Sequence, residues 1–313
     1  MKQPFLIFIF FFIFVFTYFF SKYYVDGDQL GYNNAYEAVN GLDLSDAFIS
    51  YQFYITSSEP IHFFVIWIFS NLNIDKNLIM AFFNACLACI IGRILILKNV
   101  NLFLIFVLLT TNYYLYGLYF AAERLKISFL LLFLAVLYIN NKRIRIPLVL
   151  ISILTHIQIL ILILSFIFSY FFKSFSIPKK FSLIFKNKNY IVLAFLFFPI
   201  FYLKDHILYK FNSYSNITSS SFINNIWQPV IFAILAYLYS NEKKSTILFF
   251  SLIILCSNLV GPTRITMMAY IVFLFYSLNY NRGLSYGVIL TTIYFSLKSI
   301  IFIYNVLNNG HAF

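Results

Sequence analysis

Long apolar runs, each interrupted by a few polar or charged positions, recur from one end of the chain to the other. Runs at 4–20, 77–97, 101–120, 122–140, 146–172, 226–240, 245–262, 265–280 and 284–304 read as membrane crossings, since a helix needs about 20 apolar residues to span the bilayer's ~30 Å hydrocarbon layer. Two further runs, 61–72 and 190–203, are shorter and suit re-entrant or interfacial helices. The pattern predicts an all-α polytopic membrane protein with nine crossings, or eleven if both short runs cross. No internal repeat and no soluble segment stands out, so residues 1–313 read as one integral membrane domain with external loops at about 21–60 and 204–225.

Between the runs, some polar patterns have a shape of their own. Asp28, Tyr32 and Tyr36 are spaced four apart and would line one face of a helix. Ser58-Glu59-Pro60 reads as a helix start, because proline is tolerated in a first turn that has no use for its missing N–H. Asn212–Asn225 is a Ser/Asn-rich polar loop, and Gly261-Pro262-Thr263 ends one apolar run before the next begins.

Composition strengthens the membrane assignment. The chain is 62% hydrophobic and 10% charged, against about 45–50% and about 25% for a soluble domain. Six of its ten carboxylates lie between Asp26 and Glu59, a stretch with no Lys or Arg beyond Lys22. Basic residues are retained on the cytoplasmic side of short loops, so this acidic stretch is expected outside. Nine crossings put Lys98, the Lys142-Arg143-Arg145 cluster, Lys243, Lys244 and Arg282 inside and misplace only the lysines at 173–188; eleven put those lysines inside and Lys142, Arg143 and Arg145 outside. The net charge of +12 is spread in short clusters beside apolar runs. That is a signature of topology and anionic lipid, not of nucleic acid. The first run lacks a small-residue cleavage site and reads as a retained anchor. Cys86, Cys89 and Cys256 sit inside apolar runs with no second ligand pair, which favours helix packing over a metal site.

Four positions call for chemistry. Arg124, in Phe120-Ala121-Ala122-Glu123-Arg124-Leu125-Lys126, is costly near bilayer depth unless it is paired with Glu123 or clamps an anion. His156, flanked by Thr155 and Gln158, either bonds a nearby carbonyl or handles a proton. Glu59 either caps a helix or acts as a base, and Arg264 is an interfacial arginine or a second external cation.

In this order, these residues resemble the EpsG-like family of exopolysaccharide and O-antigen polymerases, the Wzy-type enzymes. Asp28-x-x-x-Tyr32, Glu59-Pro60-Ile61-His62-Phe63, Arg124 opening an apolar run that closes on Asn140 to Arg145, and His156 in the following run carry the likeness over about residues 1–170. Two details differ: Leu125 follows the arginine where glutamine is common, and the histidine is flanked by Thr155 and Gln158. The resemblance implies a GT-C-like, multi-pass glycosyltransferase of a bacterial cytoplasmic (inner) membrane. Its substrates would be undecaprenyl-pyrophosphate-linked glycans, joined on the periplasmic face into O-antigen, lipopolysaccharide or exopolysaccharide chains. It implies no cofactor and no metal, and a chain-length regulator as a partner. Lipid pyrophosphate is already a good leaving group, so such a reaction chiefly needs fixed cations and a base. Arg124 and Arg264 are then expected to bind pyrophosphate. Glu59, Asp28 and His156 would be catalytic, Glu59 and then Asp28 as the base and His156 orienting a phosphate or the acceptor, with Tyr32, Tyr36, Tyr51 and Tyr54 stacking on sugars. A flippase for lipid-linked oligosaccharides would also want buried Arg and His, and a membrane acyltransferase acting on glycans would use a buried His; both readings stay open at this point.

Overall fold

The computed structural model describes residues 2–174, 222–257 and 262–312, with Phe201, Lys204 and Leu208 between them. Lys179, Lys180, Lys186, Lys188, most of the run 190–203 and of the second loop, and Gly261 lie outside the described residues. Among these, every regular element is helical. The helices are α1 (Lys2–Ser21), α2 (Asp28–Ala38), α3 (Leu44–Ile55), α4 (Pro60–Asn71), α5 (Lys76–Leu97), α6 (Leu102–Thr111), α7 (Tyr113–Tyr116), α8 (Glu123–Leu137), α9 (Lys142–Thr155), α10 (Ile159–Ser174), α11 (Phe222–Tyr239), α12 (Lys243–Cys256), α13 (Pro262–Ser277) and α14 (Tyr286–Asn309). They form two compact units: residues 1–156 with 289–313, and residues 157–288.

Three helices are long and apolar enough to cross a membrane: α1, α5 and α14 with the turn that leads into it. α6 continued by Tyr113–Ala121, bent by 50°, is either a fourth, broken span or a re-entrant loop. The other apolar helices have 12 to 18 residues, which at 1.5 Å per residue reach roughly 18–27 Å. The expected nine crossings therefore reduce, by length and composition, to three or four among the described residues. The runs 122–140, 226–240, 245–262 and 265–280 form helices of 14 to 18 residues, and the runs 101–120 and 146–172 are broken.

Each break has a local cause. At Asn112 the backbone turns extended, and the side chain accepts from the N–H groups of Tyr114 and Leu115, ending α6 and restarting the helix. Over Gly117–Ala121 the helix widens to a π turn, closed by Ala122 N–H on the Gly117 carbonyl. The wide turn and the break at Ala122 leave the Tyr119 and Phe120 carbonyls to side-chain donors, and α8 starts afresh at Glu123. The run 146–172, expected as one crossing, is cut where His156 adopts extended backbone (φ −157°, ψ 112°).

In the first unit, α1 and α5 run antiparallel: Cys89 Sγ lies 3.3 Å from the Leu6 carbonyl, and Phe10 packs on Phe82. Ala81, Ala85, Ala88 and Gly92 give α5 a small-residue buried face, and a Cβ at Gly92 would stand 3.1 Å from a Leu6 methyl. Cys89 thus lies at the contact between α1 and α5. Helices α8 and α9 form a hairpin joined by reciprocal Ser128–Ser152 hydrogen bonds of 2.7 and 2.8 Å. This arrangement places Lys2, Lys98 and the Lys142–Arg145 cluster at one end of the unit. The ends of α1, α8 and α9 that meet the acidic loop lie at the other.

That loop is itself folded. Helices α2, α3 and α4 close around Tyr32, Ala35, Val39, Ala47, Tyr51, Ile55, Phe63 and Ile66. The four-residue spacing of Asp28, Tyr32 and Tyr36 falls on α2, and Pro60 is the first residue of α4. The loop is pinned to the end of α14, where the Gly310 carbonyl accepts from Val25 and Asp26 N–H groups at 3.0 Å.

In the second unit, α10 packs on α12 through Ser169 and Ser245 (Oγ–Oγ 2.6 Å), and α11 packs on α13 through Phe232 with Tyr270 and Phe273.

Candidate active site

Three breaks in the chain meet in the first unit: the turn before α4, the start of α8 and the end of α9. Glu59 stands at the first. It is the N-cap residue of α4, yet its carboxylate makes no capping bond. Its Oε1 is 2.7 Å from His156 Nδ1, while Oε2 accepts from Arg124 Nη1 at 2.7 Å and from the Ser57 hydroxyl at 2.9 Å. The capping role considered from sequence is thus absent, and the carboxylate is spent on side chains 65 and 97 positions away. Arg124 also donates through Nε to the Tyr32 hydroxyl at 3.2 Å. Glu59 is 0%, His156 3% and Arg124 6% exposed. A buried charge at this depth survives only if paired and hydrogen-bonded, and here each is.

Glu123 does not pair with Arg124. Consecutive residues on a helix point about 100° apart, so the two side chains of α8's first turn leave in different directions. Glu123 Oε1 instead bonds Lys76, the first residue of α5, at 3.0 Å. Lys76 also donates to Gln29 and Asn33 at 2.9 and 2.7 Å, and lies 5.7 Å from the Tyr32 ring centre. Tyr32 therefore stands between two charged groups, Glu59–Arg124–His156 on one side and Glu123–Lys76 on the other.

The second group continues inward. Lys126, fully buried, donates to the Tyr119 carbonyl at 2.9 Å, an acceptor it shares with Asn84 Nδ2. Gln29 Nε2 donates to the Phe120 carbonyl at 2.6 Å. Gln29, Asn77, Asn84, Tyr119, Phe120 and Glu123 line a small cleft with room for about one water molecule. His62, in α4 and outside the crossing helices, bonds the Tyr51 hydroxyl through Nδ1 at 2.9 Å. Burial pushes its imidazole down to about 3, so the ring is neutral.

Of the residues singled out from sequence, Glu59, Arg124, His156 and Tyr32 come together, and Tyr51 lies beside them, fully buried with its ring against Phe48 and Phe63. Buried in this way, Tyr32 and Tyr51 present no open face for a sugar. Tyr36 donates to the Ile74 carbonyl at 2.6 Å, away from the cluster, and Tyr54 is exposed. Asp28 is exposed in the first turn of α2. Arg264 stands in the second unit, in the first turn of α13. Lys76, Lys126, Gln29 and Asn84 were not foreseen as site residues, and His62 appeared only within the Glu59–Phe63 motif. A trace was present for two: Lys126 follows Arg124 closely in a helix that is otherwise apolar, and Asn84 is a lone amide deep in α5.

Comparison with known proteins yields no matching family model, no matching curated protein and no matching solved structure.

Proposed function

We propose that this chain is a membrane glycosyltransferase that joins glycans carried on polyprenyl pyrophosphate, with Glu59, Arg124 and His156 as its reaction centre. One observation carries the reading. The separate short motifs that resemble the polymerases (Tyr32, Glu59, Arg124 and His156) meet within hydrogen-bonding distance, although 65 to 97 residues separate the bonded partners. The charge distribution supports an external site. Lys2, Lys98 and the Lys142–Arg145 cluster lie at the end of the first unit remote from this site, and basic residues in short loops mark the cytoplasmic side. A bacterial inner membrane is part of the same proposal.

In this reading the roles of Glu59 and His156 exchange relative to the expectation from sequence. Glu59 has both oxygens engaged, so it orients rather than abstracts. The His156 Nδ1–H donates to Glu59 Oε1, which leaves the lone pair of the neutral ring on Nε2. That nitrogen takes the proton of the acceptor hydroxyl as the acceptor oxygen bonds the sugar's anomeric carbon. The bond from that carbon to the pyrophosphate oxygen breaks, and its electron pair leaves with the lipid pyrophosphate. Glu59 stabilises the imidazolium that results. Arg124 commits two N–H donors to Glu59 and Tyr32; a guanidinium has five, so three can meet phosphate oxygens.

His156→Gln tests the assignment. Glutamine can still bond Glu59 but cannot carry the proton, so chain extension should fall about 10²- to 10⁴-fold, read as loss of long glycan on gels at normal protein level. Long chains at normal yield would remove His156 from the chemistry. Loss of even single lipid-linked units from the outer surface would favour a flippase instead.

A further inference from the structure

The cleft at the start of α8 presents two buried oxygens that lack a partner among the described residues. We propose that Glu123 and Asn84 form a binding site for one uncharged hydroxyl group, supplied by a water molecule or by a sugar of the acceptor glycan. The site itself does not rest on the proposed function; only the sugar as a source does.

The side chains bonded to these two residues are already committed. Glu123, 1% exposed, gives Oε1 to Lys76 at 3.0 Å, while its Oε2 accepts no hydrogen bond. Lys76 spends its three N–H groups on Glu123, Gln29 and Asn33, at 3.0, 2.9 and 2.7 Å, and has none left for Oε2. Asn84, 2% exposed, donates through Nδ2 to the Tyr119 carbonyl at 3.1 Å. Turning the amide over would set oxygen against oxygen there, which fixes Oδ1 as the atom without a partner. His62 Nε2, also unpartnered, lies 3.9 Å from Glu123 Oε2, too far for a direct bond. Buried polar atoms are nearly always satisfied, and polar cavities, unlike apolar ones, hold water.

The chemistry of the ligand follows from what is left. Both free oxygens in the cleft are acceptors, so the ligand must donate, and an anion is excluded. A cation is disfavoured as well, because the Lys76 ammonium already offsets the Glu123 carboxylate and the lining residues include no second carboxylate. Room for about one water admits a single hydroxyl and nothing larger. Water matches the two acceptors with its two O–H bonds; a sugar hydroxyl brings one, and its ring stays outside. Ser21 and Asn77, part-exposed at the end of α1 and the start of α5, give either source access from the side of the acidic loop. The bound group would tie the first turn of α8 to α5, and that turn carries Arg124 toward Glu59.

The test is a crystal structure of the whole chain, grown from a lipidic phase at a resolution that shows ordered water. One crystal holds the protein alone, the other the protein with lipid-linked repeat units extracted from cells that lack it. A density peak within hydrogen-bond distance, ~3.2 Å, of both Glu123 Oε2 and Asn84 Oδ1 is expected. A separate peak in both crystals makes the source water; density continuous with a sugar ring in the second makes it the glycan. Asn84→Leu puts methyl groups in place of the amide and leaves Lys126 on the Tyr119 carbonyl. It should lose the peak while Lys76 stays on Glu123. No peak in either wild-type crystal, or Glu123 Oε2 met by a protein donor such as Lys126, overturns the site, and so does a peak that survives in Asn84→Leu. No turnover enters this measurement, so its failure leaves the proposed function standing, whereas that function fails on chain length in His156→Gln cells.

Discussion

Glu59→Ala should destabilise the protein by about 3–5 kcal/mol, the cost of leaving one member of a buried ion pair without its partner. The carboxylate is fully buried and holds three groups at once: Arg124, His156 and Ser57. Its removal strands a guanidinium that cannot lose its proton, in a space with little access to water. Unfolding of the detergent-solubilised protein, followed by tryptophan fluorescence, would read the loss. The double variant Glu59→Gln with Arg124→Met should recover much of it, because replacing both charges by uncharged groups of similar size removes the desolvation cost along with the attraction. A drop under about 1 kcal/mol in the single variant, as for a solvated surface pair, would mean that the cluster is open to water.

Arg124→Lys should separate chemistry from stability. Lysine keeps a positive charge for Glu59, so the protein should accumulate at near-normal level. It cannot reproduce the fork that reaches Glu59 through Nη1 and Tyr32 through Nε while three further N–H groups stay available. Loss of a fixed donor to developing charge typically costs about 10²–10³ in rate. Cells carrying only this variant should therefore show single repeat units and little long-chain glycan. Normal chain lengths would make Arg124 a structural partner of Glu59 and nothing more.

Much of this centre was legible in the sequence, for reasons that can be traced. Pro60 marks the start of α4 because proline fits a first turn, and that fixed where Glu59 would sit. Arg124 and His156 drew attention because charge and imidazole are costly in apolar runs. The four-residue spacing of Asp28, Tyr32 and Tyr36 became one helix. The partners were harder to read. Glu123 is adjacent to Arg124 in sequence, yet helix geometry turns it toward Lys76, and the carboxylate that Arg124 meets comes from 65 residues earlier. The breaks at Asn112 and His156 escaped hydropathy because each depends on where polar groups find partners, whereas the one at Ala122 falls at the boundary between the runs 101–120 and 122–140. At Ala122 the freed carbonyls of Tyr119 and Phe120 are met by Asn84, Lys126 and Gln29, the last of these 91 residues distant. Averaging apolar content over a window merges the two sides of the breaks at Asn112 and His156 into one crossing each. The first external loop was expected to hold aromatic faces for sugars, but burial of Tyr32 and Tyr51 in its core makes it a folded cap over the site.

The most direct measurement uses purified protein in lipid vesicles, supplied with lipid-linked repeat units extracted from cells that lack this chain. The account predicts a ladder of lengthening glycans with release of polyprenyl pyrophosphate from the wild type, and almost none from Arg124→Lys. A wild-type protein that yields no ladder while moving those units across the bilayer, or a variant that extends them at the normal rate, would contradict it.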